Sequence, residues 1–243
     1  MTRAVTSADA RGMALVAALF VLTLVAALGA IVALASATES AIAGDFARVE
    51  EARYAAEAGL ERAIGDLPAI GDWTPVLAGA VTSTFTDGPP SGARTLVDGT
   101  LIDPTRVANA ANCGKAACSA SDLTGNATGQ RPWGANNPVW RPFAYGPLAA
   151  LVADGSIRSS FYVVVLVADD PAETDANPFV DGAAPCAAGQ TPPVCNSGSG
   201  ALALRAEAFG PRGAHRVVEA VLERALGAAW PIKTRSQVNG GVR

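Results

Sequence analysis

Three observations in the amino-acid sequence predict an α+β fold: a long N-terminal helix, membrane-spanning in its first half, packed by its second half on an antiparallel β-sheet. An apolar run without a charged residue fills Gly12 to Thr38, 27 positions. A stripe of apolar residues at helical spacing continues to Leu67. Runs rich in valine, alanine and aromatic residues, joined by turn sequences, crowd the C-terminal third.

Composition narrows the function classes. The 243 residues are 50% hydrophobic but only 6% aromatic, and the formal net charge is −4 without a basic block. A nucleic-acid surface is therefore not expected. His215 is the only histidine. No Gly-x-Ser-x-Gly elbow and no lysine-bearing phosphate loop occur, so no enzyme is expected.

The apolar run comes first. As a helix, 27 residues span about 40 Å, enough for a hydrocarbon core of roughly 30 Å. Arg3, Arg11 and the amino terminus precede it, against Asp9 alone. That bias puts the leader in the cytoplasm and the rest outside, as a single-pass protein. A cleaved secretory signal has an apolar core of roughly 7–15 residues, which this run exceeds, although "ALASA" imitates a cleavage site. A plain signal anchor and a leader cut ahead of the helix both remain open.

From Glu39 to Leu67 the residues Ile42, Phe46, Val49, Ala56, Leu60, Ala63 and Leu67 recur at spacings of three, four and seven. Charged residues lie between them, and Arg53 and Glu57 are placed to pair. Pro68 ends the helix, and Gly29 and Gly44 are the points where it can bend.

Residues 68–155 read as a loop-rich region with short strands. "RTLVDGTLI" predicts a hairpin around Asp98-Gly99. "GQRPWGANNPVWRPFAYGP" holds four aromatics, read as cover over the core in preference to a partner site. Residues 156–226 form the β-sheet region. "SSFYVVVLVADD" is one strand, and "ALALRAEAFGPRGAHRVVEAVLERA" holds two around Gly210-Pro211-Arg212-Gly213. Four or five strands are expected. The tail, 227–243, shows no pattern and is expected to be flexible, and His215 is expected to be solvated at a strand end.

Four cysteines form two close pairs, Cys113 with Cys118 and Cys186 with Cys195. Two local disulfides in an oxidising compartment are expected, though four cysteines allow three connectivities. Zinc is the rival, but these spacings fit zinc ribbons poorly. "ADDPAETDANPFVDG" places Asp169, Asp170, Glu173, Asp175, Asn177 and Asp181 in one loop. The loop either offers calcium a set of oxygen ligands, chiefly Asp169, Asp170, Asp175 and Asp181, or is a solvated acidic turn. No other cofactor is expected.

The segment "RGMALVAALFVLTLVAALGAIVALASATESAIAGDFARVEEARYAAEAGLERA", from Arg11 to about Ala63, resembles the N-terminal domain of PilX-type minor pilins. The resemblance is carried by the Arg-Gly start before the apolar helix, by "AGD" beyond it and by "YAAEAGLERA". It implies a pilin-like fold and a type III signal peptide over residues 1–12, cut by prepilin peptidase between Gly12 and Met13, next to Arg11. The transmembrane helix would then be 13–38 and its periplasmic continuation 39–67. It also implies methylation of Met13, storage in a bacterial inner membrane and later display on a pilus at the cell surface. The implied partners are other minor pilins, a major pilin, the inner-membrane assembly platform and the lipid bilayer. Most pilins carry glutamate at the fifth mature position, where this chain has Ala17. That departure suits an initiation or tip subunit. A GspK-type minor pseudopilin of type II secretion and a membrane-anchored periplasmic binding protein are the alternatives.

Overall fold

The computed structural model describes residues 7–123, 137–152, 155–171, 177–181, 200–223 and 232–238, of which 7–11 and 232–238 are described by backbone alone. The chain divides into two compact units, Met1–Ala47 and Arg48–Arg243. One helix, α1 (Ser7–Asp66), runs through the sequence of both without a break. In the first unit every described side chain from residue 12 to 43 is exposed. The stretch is long and apolar enough to cross a membrane once.

In the second unit a short helix, α2 (Thr74–Leu77), follows α1. Next come a two-stranded hairpin, β1 (Arg94–Thr95) and β2 (Leu101–Ile102), then helices α3 (Pro104–Cys113) and α4 (Ala120–Leu123). The main sheet contains β3 (Arg141–Pro147), β4 (Tyr162–Asp169), β5 (Ala201–Phe209), β6 (His215–Glu223) and β7 (Ile232–Val238). These five strands lie in chain order, and each pair of neighbours is antiparallel.

Alternation along the strands sends two sets of side chains to opposite faces. Val163, Val165, Val167, Leu202, Leu204, Ala206, Ala208, Val218, Ala220 and Leu222 join the core that contains Ala52, Ala55, Ala56, Leu60, Ala63 and Leu67 of α1. The seam is made of small residues, which lets the helix come close. A Cβ added at Gly59 would lie 2.3 Å from Val163 Cγ1. Trp73, Val76, Leu77 and Phe85 close the remaining side of this core.

The expected helical stripe is buried only in its second half, where Ala56, Leu60, Ala63 and Leu67 lie in the core as predicted. Ile42 and Phe46 are 63% and 65% exposed, and burial begins at Ala52. Strands of seven to nine residues reach about 23–30 Å, which covers only some sixteen to twenty helical residues. The seam also takes in Ala52 and Ala55, which stand outside the expected stripe.

On the opposite face, α3 packs Val107, Ala108 and Ala111 over Tyr145, Tyr162, Val164 and Leu166. The loop-rich reading of 68–155 missed this helix. Its signals are present: Asp103 accepts hydrogen bonds from the Thr105 and Arg106 amides, Pro104 opens the first turn, and Gly114 ends it at φ 71°. The same reading missed most of β3. Pro142 and Pro147 fit there because β3 is a sheet edge. The predicted hairpin around Asp98-Gly99 and the two strands around Gly210–Gly213 are present. Part of the tail departs from expectation, since residues 232–238 form β7 against β6. An edge strand is held by backbone hydrogen bonds and need not alternate apolar residues.

The Gly59 contact leads to a paired test in the full chain. Replacing a helical glycine by alanine gains up to about 1 kcal/mol from propensity, and Gly65, with open space around it, is expected to show that gain. At Gly59 overpacking of about 1–3 kcal/mol opposes it. Denaturant unfolding of Gly59→Ala and Gly65→Ala in the same lipid nanodiscs should place Gly59→Ala lower by roughly that overpacking term. Equal stabilities would show that the helix does not approach β4 this closely.

Candidate functional site

The candidate functional residues fall into four places, three of them expected from the sequence. The first is the Arg11-Gly12-Met13 junction, which lies inside α1. Gly12 has no neighbour within 4 Å of an added Cβ, Met13 is 74% exposed and Ala17 is exposed. Glycine is the weakest helix former here, at about 1 kcal/mol against alanine. The backbone is therefore easier to unwind at Gly12 than at the non-glycine residues around it.

The second place is the disulfide. Cys113 and Cys118 are bonded, with Cα atoms 6.0 Å apart. The bond closes the C-terminal end of α3, and Asn109 donates its side-chain amide to the Ala116 carbonyl inside the same loop. By chain entropy a loop this short contributes about 2 kcal/mol. Asn112 anchors the helix to β3 through two hydrogen bonds with the Trp140 backbone, 2.9 and 2.8 Å. Cys186 and Cys195 lie outside the described residues.

The third is the acidic loop. Asp169 ends β4 and Asp170 follows it, both buried, and the Asp170 amide donates to Asp169 Oδ1 at 3.1 Å. Asn177 accepts from the Phe179 amide, and Asp181 accepts from the Gly200 amide at 2.8 Å, tying the loop to the start of β5. Glu173 and Asp175 lie outside the described residues. Among the described residues no three His, Cys, Asp or Glu side chains gather for a metal.

The fourth is a polar ladder on the face of the sheet opposite α1, which sequence reasoning missed. Cross-strand register sets Arg205 beside Glu219, Glu207 beside Val217, and Phe209 beside His215. Arg205 donates to Glu207 and to Glu219, each at 2.7 Å. His215 Nε2 lies 2.9 Å from Glu207 Oε2, and its ring stacks on Phe209 with centroids 4.6 Å apart. His215 is therefore half-buried and partnered, against the expectation of a solvated strand-end residue. The signal that could have found the ladder is the polar spacing Arg205, Glu207, His215 and Glu219 within one predicted hairpin. In these Ala-, Leu- and Val-rich strands, charged residues two or four positions apart mark one face.

Burial alone pushes the Glu207 carboxyl up, but the hydrogen bonds and charges of His215 and Arg205 outweigh it and hold it below its ordinary value. A depressed folded value adds stability above pH about 4.5, which is lost as pH falls through the folded value. Unfolding followed from neutral pH downward should show an acid limb that flattens in Glu207→Gln. Superimposable acid limbs would remove Glu207 from this role.

Comparison of the chain with protein-family models, with curated proteins and with solved structures finds no match.

Proposed function

We propose that this chain is a PilX-type minor pilin, a structural subunit of a type IV pilus that works in its initiation or tip complex and performs no catalysis. The observation that carries the proposal is the division of labour along α1. Its N-terminal stretch is apolar, uncharged and exposed throughout, while residues 52–66 are the core element of a domain built on an antiparallel sheet.

Physically, an apolar helix of this kind is an assembly element. It moves from lipid into a bundle of like helices, one apolar surround for another, so the transfer costs little hydrophobic energy and packing decides the outcome. Ala17 bears on position. A carboxylate at that place would need a partner inside an apolar bundle, and a subunit with no predecessor has none to offer. An apolar residue there suits the first subunit of a fibre. The disulfide at Cys113–Cys118 supports residence of the folded domain outside the cytoplasm.

The N-terminal mass of the mature chain tests the proposal. A chain beginning at methylated Met13 is the expected result. A mature chain that retains residues 1–12 would favour a tethered binding protein, and one cut near Ser36 would favour a secreted domain. Either contradicts assembly through α1.

A further inference from the structure

A cavity of about 350 Å³ opens between the β1 hairpin and the entry to β4, a volume at the small end of ligand pockets. It belongs wholly to the second unit and is independent of the membrane reading. Asp87 and Arg94 stand at its polar end, and Leu96, Val97 and Pro147 supply apolar wall.

The charges at the polar end are satisfied within the protein. Arg94 donates through Nε and Nη2 to Asp87 Oδ1 at 3.2 and 2.9 Å, and to the carbonyls of Gly92 and Pro89. Its guanidinium also lies 5.5 Å from the Tyr145 ring centroid. The Tyr162 hydroxyl donates to Asp87 Oδ2 at 2.9 Å. Burial, together with Asp87, pushes the Tyr162 phenol up, so it stays a donor. A carboxylate offers about four lone-pair directions, and these contacts take three, leaving Asp87 one acceptor site.

This arrangement discriminates among ligands. An anion would meet the Asp87 carboxylate, and a cation would meet a guanidinium, with no unpaired charge of opposite sign to receive either. A wholly apolar ligand would bury the last Asp87 acceptor site without a donor, at a cost of about 1–3 kcal/mol. What remains is a neutral molecule with hydroxyl donors on one side and an apolar surface on the other. Around the same cavity Thr95 and Ser160 present exposed hydroxyls that can accept from or donate to such a ligand. Val97, 90% exposed in the free protein, has apolar surface to gain by covering a ring face.

We propose that this cavity binds a neutral sugar of one or two rings, with Asp87 accepting a sugar hydroxyl and Leu96, Val97 and Pro147 packing on the ring. The turn of the hairpin that carries Val97 is held in place, because Asp98 accepts from the Arg212 amide of the β5–β6 turn at 3.1 Å. Arg212 itself adopts φ 58° there. The wall is thus set before a ligand arrives, which lowers the cost of binding.

Saturation-transfer NMR on the full chain in phosphatidylcholine nanodiscs, free of sugar detergents, tests this. The probes are glucose, galactose, mannose, N-acetylglucosamine and maltose, with glucuronate and glucosamine as charged counterparts. Millimolar binding of at least one neutral sugar is expected, weakened about tenfold or more in Ser160→Trp, which fills the cavity from an exposed position. Thr95→Trp, on the facing wall, is the second filled variant, and unchanged thermal unfolding shows that each is folded. No transfer to any neutral sugar, tighter binding of a charged counterpart, or undiminished binding in both folded variants would overturn the assignment.

Discussion

The approach of α1 to β4 at Gly59 is the contact on which the remainder of the second unit depends. With no side chain at that point, the helix backbone comes within van der Waals reach of Val163 and Val165. The alanines on either side, 52, 55, 56 and 63, keep the seam narrow along its length. Because the seam is narrow, the sheet's inner side chains bury without large aromatics from the helix. Trp73 and Phe85, delivered by the segments after α1, are then needed only around its margin. Trp73 donates its ring N–H to the Leu67 carbonyl, which also accepts from the Ile70 amide, and so ties this side chain to the turn that follows α1.

The same contact explains why the opposite face of the sheet can be polar. With one face committed to the hydrophobic core, the other tolerates the Glu219–Arg205–Glu207–His215 ladder over β5 and β6 and is covered by α3 only over β3 and β4. Arg205 and Glu207 are too buried to be left unpaired, and removing either partner would strand the other. The ladder therefore fixes the register of β5 on β6 as well as stabilising it. At the far end of this face, beyond Phe209, a separate pair of Tyr162 and Asp87 lines the cavity beneath the β1 hairpin.

How much of this was legible in the sequence follows from which forces leave periodic traces. The long helix, the β4 run and the β5–β6 hairpin were readable because burial imposes a period of 3.6 or 2 on apolar residues. The Arg53–Glu57 pair was readable for the same reason and is found at 3.2 Å. The seam was readable only in part: Ala56, Leu60, Ala63 and Leu67 stand in the expected stripe, whereas Ala52, Ala55 and Gly59, important for what they leave out, do not. Edge strands β3 and β7 escaped because one side of each bonds to a neighbour whatever the side chains are. The helix α3 escaped although Asp103, Pro104 and Gly114 mark its ends, because its apolar stripe is short, Val107, Ala108 and Ala111 among ten residues. Of the site residues, the Cys113–Cys118 bond was legible from proximity, whereas Asp87, Arg94, Tyr145 and Tyr162 are up to 75 residues apart and meet only through topology.

We propose that one unbroken helix serves two surroundings, lipid up to about Thr38 and a protein core from Ala52 onward. Site-directed spin labelling in nanodiscs tests it most directly, with single labels at Leu22, Leu28, Ile31, Thr38, Ser40, Ile42 and Phe46 and power saturation by oxygen and by a water-soluble nickel chelate. The account predicts high oxygen and low nickel accessibility at 22, 28 and 31, a crossover near Thr38 to Ser40, and nickel-accessible labels at 42 and 46. Nickel accessibility at 22, 28 and 31 equal to that at 42 would show that the N-terminal stretch does not reside in lipid, and would contradict the account.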